Sequence, residues 1–232
     1  MPATKNNCCN AEASSATRTV SKNRLIFKTI TIFLIGLASL NWPAPSSALA
    51  TPLTIKNQAR ENLKAGKSQE ALDLLIKNSS QSKTDSQYFF LKGRALQDLR
   101  RNTESLSNYS IAIFLNPKFT NAYINRGLVK GALKDIEGAL SDLDQALIIE
   151  PKNLAALVNR GVTYGGLNKP LLAITDFNRV IQVDPNYADA YRNRGLTKHL
   201  IGDKKGACDD WKKSKDLGII DAVEWLSKYC IE

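Results

Sequence analysis

An all-α solenoid, stacked from helix–turn–helix units and closed by a C-terminal capping helix, is the fold class this sequence predicts. Three observations predict it. Gly93, Gly127, Gly161 and Gly195 follow one another at 34-residue steps. Pro117, Pro151 and Pro185 keep the same step. Between them, apolar residues recur at helical spacing rather than in alternation. A fixed period of roughly 20–50 residues marks an array of small units, not a closed globule. Such an array offers a long surface, so its default business is holding something.

The first fifty residues stand apart from this pattern. They carry Lys5, Arg18, Lys22, Arg24 and Lys28 against the single acid Glu12. An apolar run from Leu25 to Leu40 follows, interrupted by Lys28. The clean part is shorter than the roughly 20 residues a spanning helix needs. It suits the roughly 7–15 residues of a signal-peptide core. Pro43, Pro45, Ser46 and Ser47 then extend the chain, and Ala48-Leu49-Ala50 supplies a small-x-small cleavage pattern. The expectation is a signal peptide over 1–50, cut after Ala50. An uncleaved anchor through residues 25–40 is one alternative, and a plastid transit segment ahead of a second signal is another. No arginine pair precedes the core, and no cysteine follows it for lipid attachment.

The units fall at 86–119, 120–153, 154–187 and 188–221, with a degenerate copy at 51–85. Each first helix sets a bulky residue four positions before its glycine: Phe89, Tyr123, Leu157 and Tyr191. Lacking a Cβ, the glycine lets a neighbouring helix come close. Each second helix opens with Ser105, Ala139, Ala173 or Ala207. Tyr109, Leu143, Phe177 and Trp211 lie four further on, and Ala112, Ala146, Val180 and Ser214 three beyond those. That spacing lines one helical face. Proline then ends the helix, because it cannot continue the hydrogen-bond ladder. Pro170 opens the second helix of its unit, where a missing N–H is harmless.

These offsets resemble the tetratricopeptide repeat, a helix–turn–helix unit with an aromatic, Gly, Ala, aromatic, Ala and Pro in the same places. The resemblance implies a right-handed superhelix whose first helices line a concave groove. In the leading copy Gly66 and Ala71 fit, while Ala59 replaces the repeat glycine and Lys83 the proline. The last unit fades to Ser214 and Ile219 at the Ala and Pro offsets. The leader, the Asn-Arg-Gly repeats and the closing Ala-Cys-Asp-Asp-Trp are similar in style to exported bacterial, including cyanobacterial, members.

A second regularity is charged. Arg126, Arg160 and Arg194 each precede the repeat glycine, while Asp142, Asp176 and Asp210 hold one position in the second helices. In the first full unit both change together, to Lys92 and Asn108. A part-buried guanidinium needs a partner. The pattern predicts a structural ladder of Arg–Asp pairs within or between units; anion capture is the alternative.

After Leu217-Gly218, residues Ala222, Trp225, Leu226 and Tyr229 are spaced as one face of an amphipathic helix. A capping helix over 222–232 would lid the last unit. Cleavage after Ala50 would remove Cys8 and Cys9 and leave Cys208 and Cys230. These lie at similar depths on either side of the Gly218 turn, within about 3 Å at 1.5 Å rise per residue. An exported protein with two cysteines so placed pairs them, unless they serve as buried thiols filling space.

Nothing here points to chemistry. The single histidine, His199, speaks against His-based metal sites and a Ser–His–Asp constellation. No C-x-x-C and no Gly-rich phosphate loop is present. Neither an enzyme, a metal nor a cofactor is implied.

By the resemblance, the groove is lined two residues before each glycine, at Leu91, Asn125, Asn159 and Asn193. Its neighbours are Phe90, Arg94, Ile124, Leu128, Val158, Val162, Arg192 and Leu196. A run of asparagines suits an extended peptide backbone, because each amide both donates and accepts. A carboxylate clamp known in the family needs asparagine just after its first unit's glycine. This chain has Arg94 in the first full unit and Leu128, Val162 and Leu196 in the others.

The function expected is a non-catalytic scaffold that binds a peptide or partner protein, possessing no nucleic-acid partner and meeting a membrane only through its leader. Periplasm or thylakoid lumen is the expected compartment. RNA binding is the competing class, since helical repeats can read bases and the chain carries a net charge of +10. Without residues 1–50, 27 basic and 21 acidic residues remain.

Overall fold

The computed structural model describes residues 51–81 and 83–230. The leader, with its cleavage and anchor alternatives, lies outside the described residues. Every regular element among them is helical. They run α1 (Pro52–Lys64), α2 (Ser68–Lys77), α3 (Ser86–Asp98), α4 (Asn102–Leu115), α5 (Thr120–Ala132) and α6 (Ile136–Ile149). The chain continues through α7 (Leu154–Gly166), α8 (Pro170–Val183), α9 (Ala188–Leu200), α10 (Lys204–Asp216) and α11 (Asp221–Tyr229). A single 3-10 turn, Ser79–Gln81, separates α2 from α3. Among these helices none is long and apolar enough to cross a membrane.

Local chemistry fixes the helix starts. Asp85 accepts from the Gln87 and Tyr88 amides, Asp135 from Gly138, Asn153 from Ala156 and Asp203 from Gly206. Each satisfies a donor the helix leaves unpaired. Pro52 and Pro170 sit in the first turn of their helices.

The turns within the helix pairs share a device that residue type conceals. Gly66, Arg100, Lys134, Asn168 and Gly202 stand 34 residues apart, and all are left-handed, with φ from 55° to 85°. Glycine takes this conformation without strain, whereas arginine and lysine do not.

Packing follows the predicted stripe. The small residues Ser105, Ala139, Ala173 and Ala207 are buried, as are Tyr109, Leu143, Phe177 and Trp211 four positions on. A Cβ on Gly93 would meet the Tyr109 ring at 2.7 Å, and one on Gly195 the Trp211 ring at 2.7 Å. The missing side chains are therefore what lets the two helices of a unit close. Burying an aromatic such as Phe177 contributes about 1.5–3 kcal/mol.

Helices pack in series, each against its sequence neighbours. The first helices of successive units, α1, α3, α5, α7 and α9, also touch one another in turn, while the second helices meet more sparsely. The layer whose members lie closer forms the inner side of the curve. The architecture is thus an α-solenoid with the first helices inside, and α11 packs against α10 at its end.

Candidate groove and the ion-pair ladder behind it

The inner helices present two rows at repeat spacing. Asn125, Asn159 and Asn193 are half-buried, and their side-chain amides bond to no other described residue. Three positions on, Leu128, Val162 and Leu196 are 38%, 51% and 41% exposed. Leu128 and Val162 share a cavity of about 320 Å³ between α5 and α7, with Gly131, Ile136, Gly166 and Leu167 on its walls. Nothing lies within 4 Å of a Cβ built on Gly165 or Gly166.

Not every expected groove residue is available. Phe90, at 9% exposure, packs on Tyr109 and Phe119, and Ile124, at 5%, belongs to the core beneath Tyr123. Leu91 is buried as well. These three point into the helix–helix interface, because an aromatic or branched side chain gains more there than at the rim. Val158 is half-buried against the same core. Arg192 pairs with Asp189 at 3.0 Å. Arg94 is exposed and forms no ion pair with a described residue.

Behind the groove the arginines form a bridge that reaches both ways. Arg126 donates from Nε and Nη2 to Asp142, at 2.9 and 2.6 Å. Arg160 does the same to Asp176, at 2.8 and 2.7 Å. Arg194 repeats it on Asp210, at 2.8 and 2.5 Å. The free Nη1 of each arginine turns back to the preceding unit: to Ser110 at 3.0 Å, Asp144 at 2.7 Å and Asn178 at 2.6 Å. Every arginine therefore joins an acceptor 16 residues behind it to a carboxylate 16 ahead. The acceptor row Ser110, Asp144, Asn178 is missing from the sequence reading. Its members share only size and a lone pair, so a search by residue type passes over them.

Further groups complete each site. Lys130 reaches Asp142 and Lys198 reaches Asp210, both at 2.9 Å. Arg126 lies over the Tyr123 ring and Arg194 over Tyr191, each three residues upstream; Arg160, which has Leu157 there, uses Tyr164 instead. The Asp142 and Asp176 hydrogen bonds hold the Arg126 and Arg160 guanidinium groups above their ordinary pKa, against the opposing pull of burial. All three carboxylates are buried and bidentately paired, and the Nη1 of each arginine is held from behind, so both ends of every bridge are engaged within the protein. The geometry is that of a strut. In the first full unit Asn108 donates instead to the Glu104 carbonyl at 2.8 Å, and Lys92 takes no part.

At the C-terminal end Cys208 of α10 is disulfide-bonded to Cys230, which caps α11, with Cα atoms 5.8 Å apart. The bond ties α11 across an aromatic cluster. His199 lies 4.4 Å from the Tyr229 ring and 5.6 Å from Trp211, and the Trp225 ring is tilted against Trp211 at 5.5 Å. His199 is thus half-buried against the cap.

The chain resembles several solved structures. MamA from Desulfovibrio magneticus RS-1, residues 41 to the end, has a TM-score of 0.62 at 22% identity, covering 70% of this chain and 92% of that one. YrrB, a tetratricopeptide-repeat protein with an unusual peptide-binding site, has 0.60 at 18%, over 76% and 91%. A thermophilic repeat protein of Thermus thermophilus has 0.63 at 16%, over 77% and 96%. No curated protein matches the chain. The family model described as tetratricopeptide repeat matches residues 154–187, the stretch that spans α7 and α8. Residues 154–187 are accordingly a tetratricopeptide repeat, and the described chain has the fold of tetratricopeptide-repeat solenoids.

Proposed function

We propose that this protein is a non-catalytic scaffold that holds an extended segment of a partner protein along its inner helices. The observation that carries the reading is the row Asn125, Asn159, Asn193, half-buried and with its amides unused by any other described residue. Such groups cost little when open to water, and each is ready to bond a peptide N–H and C=O together. The apolar row beside them supplies area to bury. The ladder behind supports a rigid floor, which lowers the ordering cost of binding. The leader and the Cys208–Cys230 disulfide together favour an exported compartment, periplasm or thylakoid lumen.

The test is crosslinked affinity capture from native membranes with three forms of the chain. The partner is expected on the wild type, lost from the triple variant Asn125→Ala, Asn159→Ala, Asn193→Ala, and retained by Phe114→Ser, an exposed change on a second helix. Equal capture by the triple variant would overturn the groove. Mass spectrometry of the bait's N-terminus reads the leader from the same sample; a chain starting at Thr51 is expected.

A further inference from the structure

The groove floor changes character along the array. The position three residues beyond the asparagine row carries Leu128, Val162 and Leu196 in the last three units. The same position one and two steps earlier carries Arg94 and Arg60. All five share one register, 34 residues apart. The register is physical as well as arithmetical: Arg60 of α1 reaches across to Gln87 of α3 at 3.1 Å, and Leu128 and Val162 wall one cavity. Arg60 donates to the amide oxygens of Asn57 and Gln87. Neither Arg60 nor Arg94 has a carboxylate partner among the described residues, nor does Arg100 in the α3–α4 turn, whereas Arg101, Arg126, Arg160, Arg179, Arg192 and Arg194 do.

From this we infer that the partner segment is acidic at one end and apolar at the other, read once per unit. The inference rests on the groove reading above. Carboxylates of the segment lie over Arg60 and Arg94, and its apolar side chains lie over Leu128, Val162 and Leu196, the middle one entering the cavity between α5 and α7. Packed helices stand about 8–10 Å apart, and an extended chain rises about 3.3 Å per residue. One unit therefore corresponds to about three residues of the guest, and the five positions to a segment of about thirteen. Two cations without a carboxylate partner among the described residues, in register with three apolar positions, would also steer such a segment into one polarity, because reversal sets carboxylates on leucine and apolar side chains on arginine.

The test displays a random library of thirteen-residue peptides to the immobilised full chain. Enriched peptides are expected to carry Asp or Glu in one terminal half and apolar residues at intervals of about three in the other. The double variant Arg60→Glu, Arg94→Glu should lose those peptides roughly tenfold or more and select Lys or Arg in their place, with the apolar positions unchanged. Because both residues lie outside the core, this swap of preference also shows that the variant is folded. Enriched peptides with no acidic half, or an unaltered preference in the double variant, overturn the inference and leave the groove standing. No enrichment by the wild type overturns the groove itself.

Discussion

Gly161 lies directly against the ring of Phe177: a Cβ placed on it would stand 2.8 Å from the ring edge. Four residues along the same helix, Gly165 has open space where its Cβ would be. One substitution therefore has opposite effects at the two sites. Gly161→Ala must push a fully buried aromatic aside and should destabilise by about 1–3 kcal/mol. Gly165→Ala adds only helix propensity and should stabilise by about 0.5–1 kcal/mol. Urea denaturation of the two variants checks this, and equal shifts of either sign would contradict the packing described.

Asp176 is buried and accepts both Arg160 bonds, with Arg179 more distant at 3.9 Å. Arg160→Met leaves that carboxylate in the core without its main partner and should cost about 3–5 kcal/mol. The double variant Arg160→Met, Asp176→Leu removes the stranded charge and should recover most of the loss. The first full unit already lives without the pair, since Lys92 and Asn108 hold these positions. A double-mutant cycle by chemical denaturation measures the coupling, and additive losses would argue against the bridge.

Reducing the Cys208–Cys230 bond should free α11 from Trp211. A nine-residue helix has little stability of its own. The expected loss is about 2–4 kcal/mol, confined to the last unit. Two of the chain's three tryptophans, Trp211 and Trp225, lie in this cluster. Reduction should therefore shift their fluorescence to the red, and Cys208→Ala with Cys230→Ala should reproduce the shift without reductant. An unchanged spectrum would mean that packing alone holds the cap.

The acid limb of stability carries a contribution from Asp85. Burial raises its pKa, but the Lys56 ammonium and the Gln87 and Tyr88 amides outweigh burial and leave it below the usual carboxylate range. A carboxylate depressed on folding stabilises fully above its unfolded value near pH 4 and loses that contribution as pH falls through the lower folded value. Asp85→Asn keeps the helix cap, since asparagine caps as well, and removes the charge. Its stability should be lower than wild type at pH 6 and converge with it near pH 2. A constant gap across that range would assign the effect to the cap instead.

The array was legible because its constraints fall on residue types that recur: a glycine under each aromatic, a small residue where helices meet, a proline at three of the exits. The Arg–Asp bridge was half legible. Its forward partner is always aspartate, while its backward one varies among Ser110, Asp144 and Asn178. The left-handed row was hidden for the same reason, since Arg100, Lys134 and Asn168 hold a glycine's conformation without glycine's identity. Phe90 and Ile124 misled because repeat position alone does not say which way an inner-helix side chain turns; their bulk and apolarity decide that, and both turn inward. Arg60 was overlooked since its unit departs from the repeat pattern at its glycine and proline.

Equal offsets of 16 residues on either side of each arginine make the array tolerant of changes in its own length. Excise residues 154–187 whole, and Asp144 falls into the place Asn178 now holds before Arg194, while Asp210 keeps its own. Duplicate the same stretch, and every new junction again finds an acceptor behind and a carboxylate ahead. Growth or loss of this module as a whole leaves no guanidinium stranded, whereas an indel within it that is not 34 residues long would break the register.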